Sequence, residues 1–211
     1  MSTLLHVAAS PRANRSASRE VAGAFVDAYQ ATHPDDAIKA LDLWDAQLPE
    51  FDEHAMNAKY AGLSGTPLDE RQTQAWSGLK ELASHLHKAD KLVFSIPLWN
   101  FSIPYKLKHF IDLVSQKDIL FTFDPERGLE GMLHSKKALV IYARGLDYGK
   151  DSGTPAREFD HQSTYFEAWL RFIGVTDITS LVVEKTLFGE EMDRESRLRA
   201  SEQARRLAPD F

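Results

Sequence analysis

Apolar residues occur along the chain in five short runs, separated by segments whose apolar positions recur every three or four residues. The short runs have the length and composition of buried strands. They span residues 4–9, 37–43, 92–96, 138–143 and 178–183. The periodic segments each have one apolar face, as helices do, and cover residues 21–29, 75–86, 107–114 and 165–173. This alternation predicts a three-layer α/β domain with a five-stranded parallel sheet and right-handed crossovers.

The pattern weakens between the second and third strands. Residues 44–65 show no sustained period, and a connection this long within a compact domain usually has a function or is covered by another segment. After it, Thr66 followed by Asp69 three residues later resembles a capping box, and Pro67 suits a first helical turn. These residues predict that the next helix begins at Thr66.

Two further segments are less regular. Residues 119–123 are expected to be extended, and Gly128 and Gly131 beyond them are expected to mark turns. The charged tail from Glu190 onward has few apolar residues, which predicts no more than a surface helix.

The third strand leads into a loop rich in rings, which we call the aromatic loop (residues 97–102). Pro97 ends the strand because it cannot donate to a sheet ladder, and Pro104 suits the start of the next helix. Trp99 and Phe101 could flank a planar heterocycle, while the Asn100 amide could bond a ring edge that carries donors and acceptors. The alternative is that these aromatic side chains belong to the core or to an interface.

The first strand leads into a polar loop, which we call the serine loop (residues 10–18). Ser10, Ser16 and Ser18 precede a helix whose free N–H groups and dipole would favour a phosphate. The G-x-G-x-x-G and P-loop patterns are both absent. The loop therefore suits a single phosphate monoester, with nearby arginines adding charge. The equally acceptable alternative is that Ser16 or Ser18 merely caps the helix.

A third loop follows the fourth strand, and we call it the glycine loop (residues 143–149). Gly145 stands where the backbone would come close to another group, although an ordinary turn would explain it as well. Because the carboxyl ends of parallel strands lie at one edge of a sheet, all three loops are expected to meet there.

Composition narrows the range of functions. A chain of 211 residues suits one domain, residues 1–211. Its net charge of −6 argues against a nucleic-acid partner, and the absence of cysteine excludes thiol chemistry and disulfides. No apolar stretch is long enough to span a bilayer, and the N-terminus lacks the features of a signal peptide, so a cytoplasmic protein is expected. No metal motif and no nucleophilic serine motif is present.

Three motifs together resemble the FMN-dependent NADH-azoreductases, which are flavodoxin-like quinone reductases. They are Ser10-x5-Ser16-x-Ser18, the run PLWNFSIPYKLKHFIDLV, and ARG after the fourth strand. The resemblance covers nearly the whole chain and extends to FIGVTDI and to residues 188–192. It implies a flavodoxin-like fold and a homodimer with two FMN sites near its interface.

The resemblance also implies which residues bind FMN in this sequence. The FMN phosphate would be held by Ser10, Ser16, Ala17 and Ser18. The isoalloxazine would be lined by Pro97, Leu98, Trp99, Asn100 and Phe101. Its pyrimidine side would be met by Ala143, Arg144, Gly145 and Leu146. Trp99 stands at a position that is often tyrosine, and Leu146 at one that is often a second glycine.

The implied function is an oxidoreductase that passes hydride from NADH or NADPH through FMN to quinones and azo compounds, in two steps and with no obligate acid or base side chain. A flavodoxin-like electron carrier without its own substrate is the alternative, and a regulatory domain on the same fold is the third hypothesis. Trp44, Phe51 and Tyr60 are apolar residues that would suit the interface of the expected homodimer.

Overall fold

A central sheet of five parallel strands organises the molecule. A computed structural model describes all residues from Met1 to Phe211. The seven strands are β1 (Thr3–Ala8), β2 (Ala37–Asp42), β3 (Lys91–Pro97), β4 (Phe121–Asp124), β5 (Gly128–Gly131), β6 (Lys137–Ala143) and β7 (Asp177–Val183). The central sheet has the order β2-β1-β3-β6-β7, and β4 and β5 form a separate antiparallel hairpin. The predicted five-stranded parallel sheet is confirmed.

Helices cover both faces of the sheet. They are α1 (Ala17–Thr32), α2 (Glu53–Ser64), α3 (Glu70–Lys88), α4 (Tyr105–Val114), α5 (Ala156–Phe159), α6 (His161–Phe172) and α7 (Glu190–Leu207). One face carries α1 and α7, and the other carries α3, α4 and α6. Helix α2 packs on α3. None of the helices is both long enough and apolar enough to cross a bilayer.

The strands are buried on both faces, which explains their continuous apolar runs. In β3, Phe94 packs into the larger core, where its ring lies 4.9 Å from that of Phe166, while Val93 belongs to the core beneath α1. Strand order reverses at β1, whose neighbours are β2 and β3. Such a reversal opens a crevice at the carboxyl ends of the strands.

Helix α2 occupies part of the segment for which the sequence predicts no regular structure, so that prediction is wrong. Asp52 caps it by accepting a hydrogen bond from Ala55 N at 3.0 Å, and Gly65 ends it with a φ of 70°. The only buried residues of α2 are Ala55 and Ala58. Because alanines give a weak hydrophobic period, the helix had no clear signal.

Helix α3 begins later than predicted, because its cap is Asp69 and not Thr66. The Asp69 carboxylate accepts from Gln72 N at 2.8 Å, and the Gln72 side chain accepts from Asp69 N at 3.1 Å. This capping box satisfies two N–H groups at once. Pro67 therefore lies before the helix and not in its first turn.

Residues 121–131 form the β4–β5 hairpin. The predicted extended segment at 119–123 becomes β4 in part, but Gly128 and Gly131 belong to β5 and were wrongly predicted only as turns. Gly131 lies against the end of α6, where a Cβ atom would come within 2.1 Å of Gly174 N. The hairpin is therefore anchored by a backbone contact that only glycine permits at this position.

The charged tail forms α7, as the sequence predicts. Its packing face consists of small residues, since Ala200, Ser201 and Ala204 are buried, whereas Leu198 is exposed. Small side chains allow α7 to lie close to α1, with which it makes extensive contact.

Gly131→Ala is expected to destabilise the protein by about 2 kcal/mol, because the new methyl group must push the hairpin away from α6. This corresponds to a fall of about 4 to 8 °C in Tm. Gly153→Ala is the matched control, since a Cβ there meets nothing within 4 Å. Equal melting temperatures for the two variants, measured by circular dichroism, would contradict the close approach.

Candidate functional site

The three loops meet at the carboxyl edge of the sheet, as the sequence predicts. Parallel pairing places Ala8 opposite Ser95, and Pro97 opposite Ala143, so β1, β3 and β6 end near the same level. Leu98 N donates to Ala143 O at 2.8 Å, which joins the aromatic loop to the glycine loop. The site is therefore built on rigid strand ends at the topological switch point.

The serine loop forms a small polar cradle at the N-terminus of α1. The side chains of Ser10, Ser16 and Ser18 are buried, and the hydroxyls of Ser16 and Ser18 lie 3.2 Å apart. The N–H groups of Ala17 and Ser18 donate to no acceptor within the chain. Buried hydroxyls beside free helix N–H groups are a chemical match for a phosphate.

Ser16 also caps α1, as the alternative interpretation of this loop predicts. Its hydroxyl accepts from Arg19 N at 3.4 Å, which is a long hydrogen bond that leaves the oxygen available for another partner. Arg12 and Arg15 are exposed and form no ion pair. They lie on the same loop as the hydroxyls and add positive charge there.

The aromatic loop turns sharply in a left-handed conformation. Trp99 and Ser102 exchange two backbone hydrogen bonds of 2.9 Å, and the two residues between them, Asn100 and Phe101, have φ angles of 47° and 68°. This is the geometry of a type I′ turn, which favours asparagine at its first central position and glycine at its second. A phenylalanine there is strained by roughly 1 to 2 kcal/mol.

The surrounding structure holds this strained turn in place. His161 N, at the start of α6, donates to Phe101 O at 3.0 Å, and the ring of Phe159 lies 5.1 Å from that of Phe101. The N–H groups of Asn100 and Phe101 and the Asn100 amide have no partner within the chain. The turn thus presents several free polar groups next to exposed aromatic surface, which fits the edge of a heterocyclic ring.

Trp99 belongs to a cluster of three rings. Its centroid lies 5.8 Å from that of Trp44 and 6.4 Å from that of Tyr105, and Trp44 and Tyr105 are 5.4 Å apart. The sequence suggested Trp44 only as an interface residue, but the structure places it beside the aromatic loop. Trp44 lies two residues after the end of β2, and this position could have predicted that it lies at the carboxyl edge of the sheet.

The glycine loop carries two further free donors. The N–H groups of Gly145 and Leu146 donate to no acceptor within the chain, and Leu146 is exposed. Gly145 packs against Leu187, since a Cβ at 145 would lie 2.6 Å from Leu187 Cδ1 and Gly145 O accepts from Leu187 N at 3.0 Å. The segment that follows β7 therefore packs against this loop.

Arg144 points away from the loop surface. Its guanidinium is buried and donates to Asp160 at 2.6 Å, to Glu184 at 3.2 Å and to Gln162 at 3.3 Å. Gln162 in turn donates to Ile96 O at 3.0 Å, just before the aromatic loop. Arg144 therefore supports the ends of β3, β6 and β7, and sequence reasoning did not distinguish this role from a direct contact.

The site is open within one chain. Five of the cavities in the structure have volumes of about 350 to 610 Å³, and none of these five is lined by any of the thirteen predicted site residues. Asn100, Phe101 and Leu146 are exposed, so the aromatic and glycine loops present an open surface, whereas the polar cradle of the serine loop is buried.

A parallel sheet in this order, with an anion cradle and an aromatic loop at its switch point, defines a flavodoxin-like protein. The family model described as "Flavodoxin-like fold" matches residues 2–207. FMN-dependent NADH:quinone oxidoreductase 3 of Pseudomonas fluorescens is 56% identical over 208 residues, which cover 99% of this chain and 96% of that protein. The chain belongs to the flavodoxin-like FMN-dependent NADH:quinone oxidoreductases and azoreductases.

Other relatives agree with this assignment. FMN-dependent NADH:quinone oxidoreductase 9 of Burkholderia lata is 54% identical over 212 residues, with full coverage of both chains. The crystal structure of an azoreductase from Bacillus anthracis matches with a TM-score of 0.89 at 28% identity, with full coverage of both chains. An FMN-dependent NADH-azoreductase of that species, solved in complex with FMN, has a TM-score of 0.84 at 25% identity and covers 99% of this chain and 100% of its own.

Asp160→Asn is expected to destabilise the protein at neutral pH and much less in acid. Burial pushes the pKa of Asp160 upward, but hydrogen bonds from Ser163 and Arg144 outweigh this and leave the pKa below its ordinary value. The ionised carboxylate therefore stabilises the fold above the unfolded-state pKa of about 3.9, and this stability is lost as pH falls through the folded-state pKa.

Urea titrations between pH 3 and pH 7 measure this effect. The difference between wild type and Asp160→Asn should be about 1 to 3 kcal/mol above about pH 5, and it should shrink in more acidic buffer. Glu158→Gln is the control, because Glu158 is exposed and pairs only with the neighbouring Arg157. A difference that stays constant with pH would show that the Asp160 charge has no role.

Proposed function

We propose that this chain is an FMN-dependent oxidoreductase that uses NADH to reduce quinones and azo compounds. The observation that carries the proposal is the presence, at one switch point, of a buried hydroxyl cradle and an aromatic loop with free donors. Relatives named FMN-dependent NADH:quinone oxidoreductases at 56% and 54% identity support it.

The phosphate of FMN would bind at the serine loop. Ser10, Ser16 and Ser18 would donate from their hydroxyls, and Ala17 and Ser18 from their backbone N–H groups. Because these groups are buried, they would hold the anion with little competition from water. The α1 dipole favours negative charge at the same place.

The isoalloxazine would lie against the aromatic loop. Leu98, Trp99 and Phe101 would contact its faces, with Pro97 fixing where the loop leaves β3. Asn100 and the free N–H groups of the two left-handed residues would bond its polar edge. On the other side, the N–H groups of Gly145 and Leu146 would stabilise negative charge on the reduced ring.

FMN, when bound, accepts and releases two electrons, and the chain supplies position and electrostatics. The same aromatic surface would receive NADH first and the acceptor second, after NAD⁺ has left, in two half-reactions. Reduction of a quinone needs two electrons and one proton from NADH, and the second proton comes from solvent. No side chain of the three loops is assigned as an obligate acid or base. The apolar walls favour flat acceptors.

An electron carrier without its own substrate is the alternative. The cluster of Trp44, Trp99 and Tyr105 beside the proposed ring site favours an enzyme, because it extends the flat surface on which an acceptor can stack. The two functions differ in one measurable property. Only the enzyme would reduce a quinone with NADH in the steady state without a partner protein.

The protein purified with FMN should be yellow, NADH should bleach its flavin absorbance, and added benzoquinone should restore it with continuous turnover. A colourless protein that cannot bind FMN would refute the proposal. Bleaching without quinone turnover would favour the electron carrier. NADH and NADPH compared against a quinone and an azo dye would establish which co-substrate and acceptor are preferred.

Asn100→Ala should raise the Kd for FMN by about tenfold, since it removes an amide that would bond the ring edge. His87→Ala is the control, because His87 lies in the last turn of α3, before β3 begins, and bonds Ile119 O there. Both constants are measured by titrating the apoprotein with FMN and following flavin fluorescence. Equal dissociation constants would refute this assignment of the site.

We also propose that the chain forms a homodimer through α2 and the β4–β5 hairpin. Exposed apolar side chains from the two elements lie together, since Leu63, Phe123 and Leu129 line one cavity of about 460 Å³. Tyr60 is exposed on the same helix, whereas Phe51 packs against the core. Exposed apolar side chains grouped beside charged ones, here Lys59, Lys80, Lys117 and Asp118, are typical of an interface, and a second copy would cover them.

Sedimentation equilibrium should give twice the chain mass of 23.8 kDa. Leu63→Lys should shift the protein toward monomer, because it places a charge in the proposed interface. Leu198→Lys is the control, since Leu198 is also exposed but lies on α7. A monomeric wild type, or a Leu63→Lys protein that remains dimeric, would contradict this interface.

A further inference from the structure

Asp42 is the last residue of β2 and lies beside the switch point without belonging to any of the three loops. Its carboxylate has two partners on different segments. Oδ2 accepts from an Nη atom of Arg19 at 2.5 Å, and Oδ1 accepts from Trp44 N at 3.0 Å. The side chains of Arg19 and Asp42 are only 27% and 19% exposed, so water screens the ion pair weakly.

Arg19 connects Asp42 to the start of the serine loop. The same guanidinium nitrogen donates to Ser10 O at 3.1 Å, at the start of the loop. Near the end of the loop, the backbone N–H of Arg19, and not its side chain, donates to Ser16 Oγ at 3.4 Å. The position of the Ser10 backbone at the start of the loop therefore depends on a side chain that Asp42 fixes.

Trp44 connects Asp42 to the aromatic loop. Its Nε1–H donates to Ala9 O at 3.0 Å, and its ring packs against Trp99 and Tyr105. The carbonyls of Ala9 and Ser10 are consecutive, and each is held by a residue bonded to Asp42. The Asp42 carboxylate therefore connects the residues that follow β1 with the polar cradle and with the ring cluster.

We propose that Asp42 is a positioning residue for cofactor binding, which acts through Arg19 on the phosphate cradle and through Trp44 on the aromatic wall. This inference rests on the proposed FMN site. It requires no contact between Asp42 and the cofactor. Because Arg19 and Trp44 are both bonded to Asp42, this residue fixes the distance between the phosphate cradle and the aromatic wall.

FMN and riboflavin separate this role from a purely structural one, because riboflavin has the same ring without the phosphate. Asp42→Asn keeps the shape of the side chain but removes its charge. It should raise the Kd for FMN by about tenfold and the Kd for riboflavin by less, so the preference for FMN falls. Loss of fold stability alone would change both constants in the same proportion.

Arg19→Lys provides a second variant in case Asp42→Asn folds poorly. Lysine keeps the charge toward Asp42 but lacks the fork that reaches Ser10 O at the same time. It should also lower the preference for FMN over riboflavin. The double variant should lose no more of the preference for FMN than Asp42→Asn alone, because both substitutions break the same connection.

Asp45→Asn is the matched control, since Asp45 is exposed and its carboxylate has no partner in the chain. It should bind both flavins as wild type does. An unchanged ratio of the two dissociation constants in both Asp42→Asn and Arg19→Lys would overturn the inference, while leaving the FMN site intact. A wild type that binds no FMN would instead overturn the proposed function, and this inference with it.

Discussion

The parallel pairing of β1 with β2 on one side and β3 on the other is the constraint on which the rest of the molecule depends. It places Ala8 level with both Asp42 and Ser95, so the chain leaves three neighbouring strands at one height. Everything that the serine and aromatic loops can bind follows from this alignment. A shift by one residue would exchange the side chains that β1 buries in the two cores, where Leu5 and Val7 belong to one core and Leu4 to the other, so close packing opposes it.

The loops themselves are short and carry local strain, and the second layer of structure holds them. The left-handed Phe101 is retained because α5 and α6 supply a ring and an N–H to it. Arg144 forms ion pairs with Asp160 and Glu184 in a buried cluster beneath the carboxyl edge of the sheet. Each charged group in this cluster would be costly alone, and the hydrogen bonds among them offset that cost. The site is therefore rigid where strands end and strained only where free donors are presented.

The two ends of the site differ in polarity, and this difference suits one kind of ligand. Buried hydroxyls and helix N–H groups lie at one end, and the rings of Trp44, Trp99 and Tyr105 lie at the other. A molecule with a phosphate and a flat ring system satisfies both ends, whereas a simple anion or an apolar ligand satisfies only one. The connection through Asp42 explains how two such different surfaces can keep a constant separation.

Much of this was determined by the sequence alone. The alternation of apolar runs and helical periods established the parallel sheet, and the residue types after each strand located the three loops, because these signals depend only on neighbours along the chain. Helix α2 was missed because alanines form its buried face, and the start of α3 was misplaced because Thr66 and Asp69 are both good caps. Only the tertiary structure placed Trp44 in the ring cluster, turned the Arg144 side chain inward and joined Asp42 to Arg19. These arrangements depend on contacts between residues distant in sequence, and such contacts exist only once the sheet has brought their strands together.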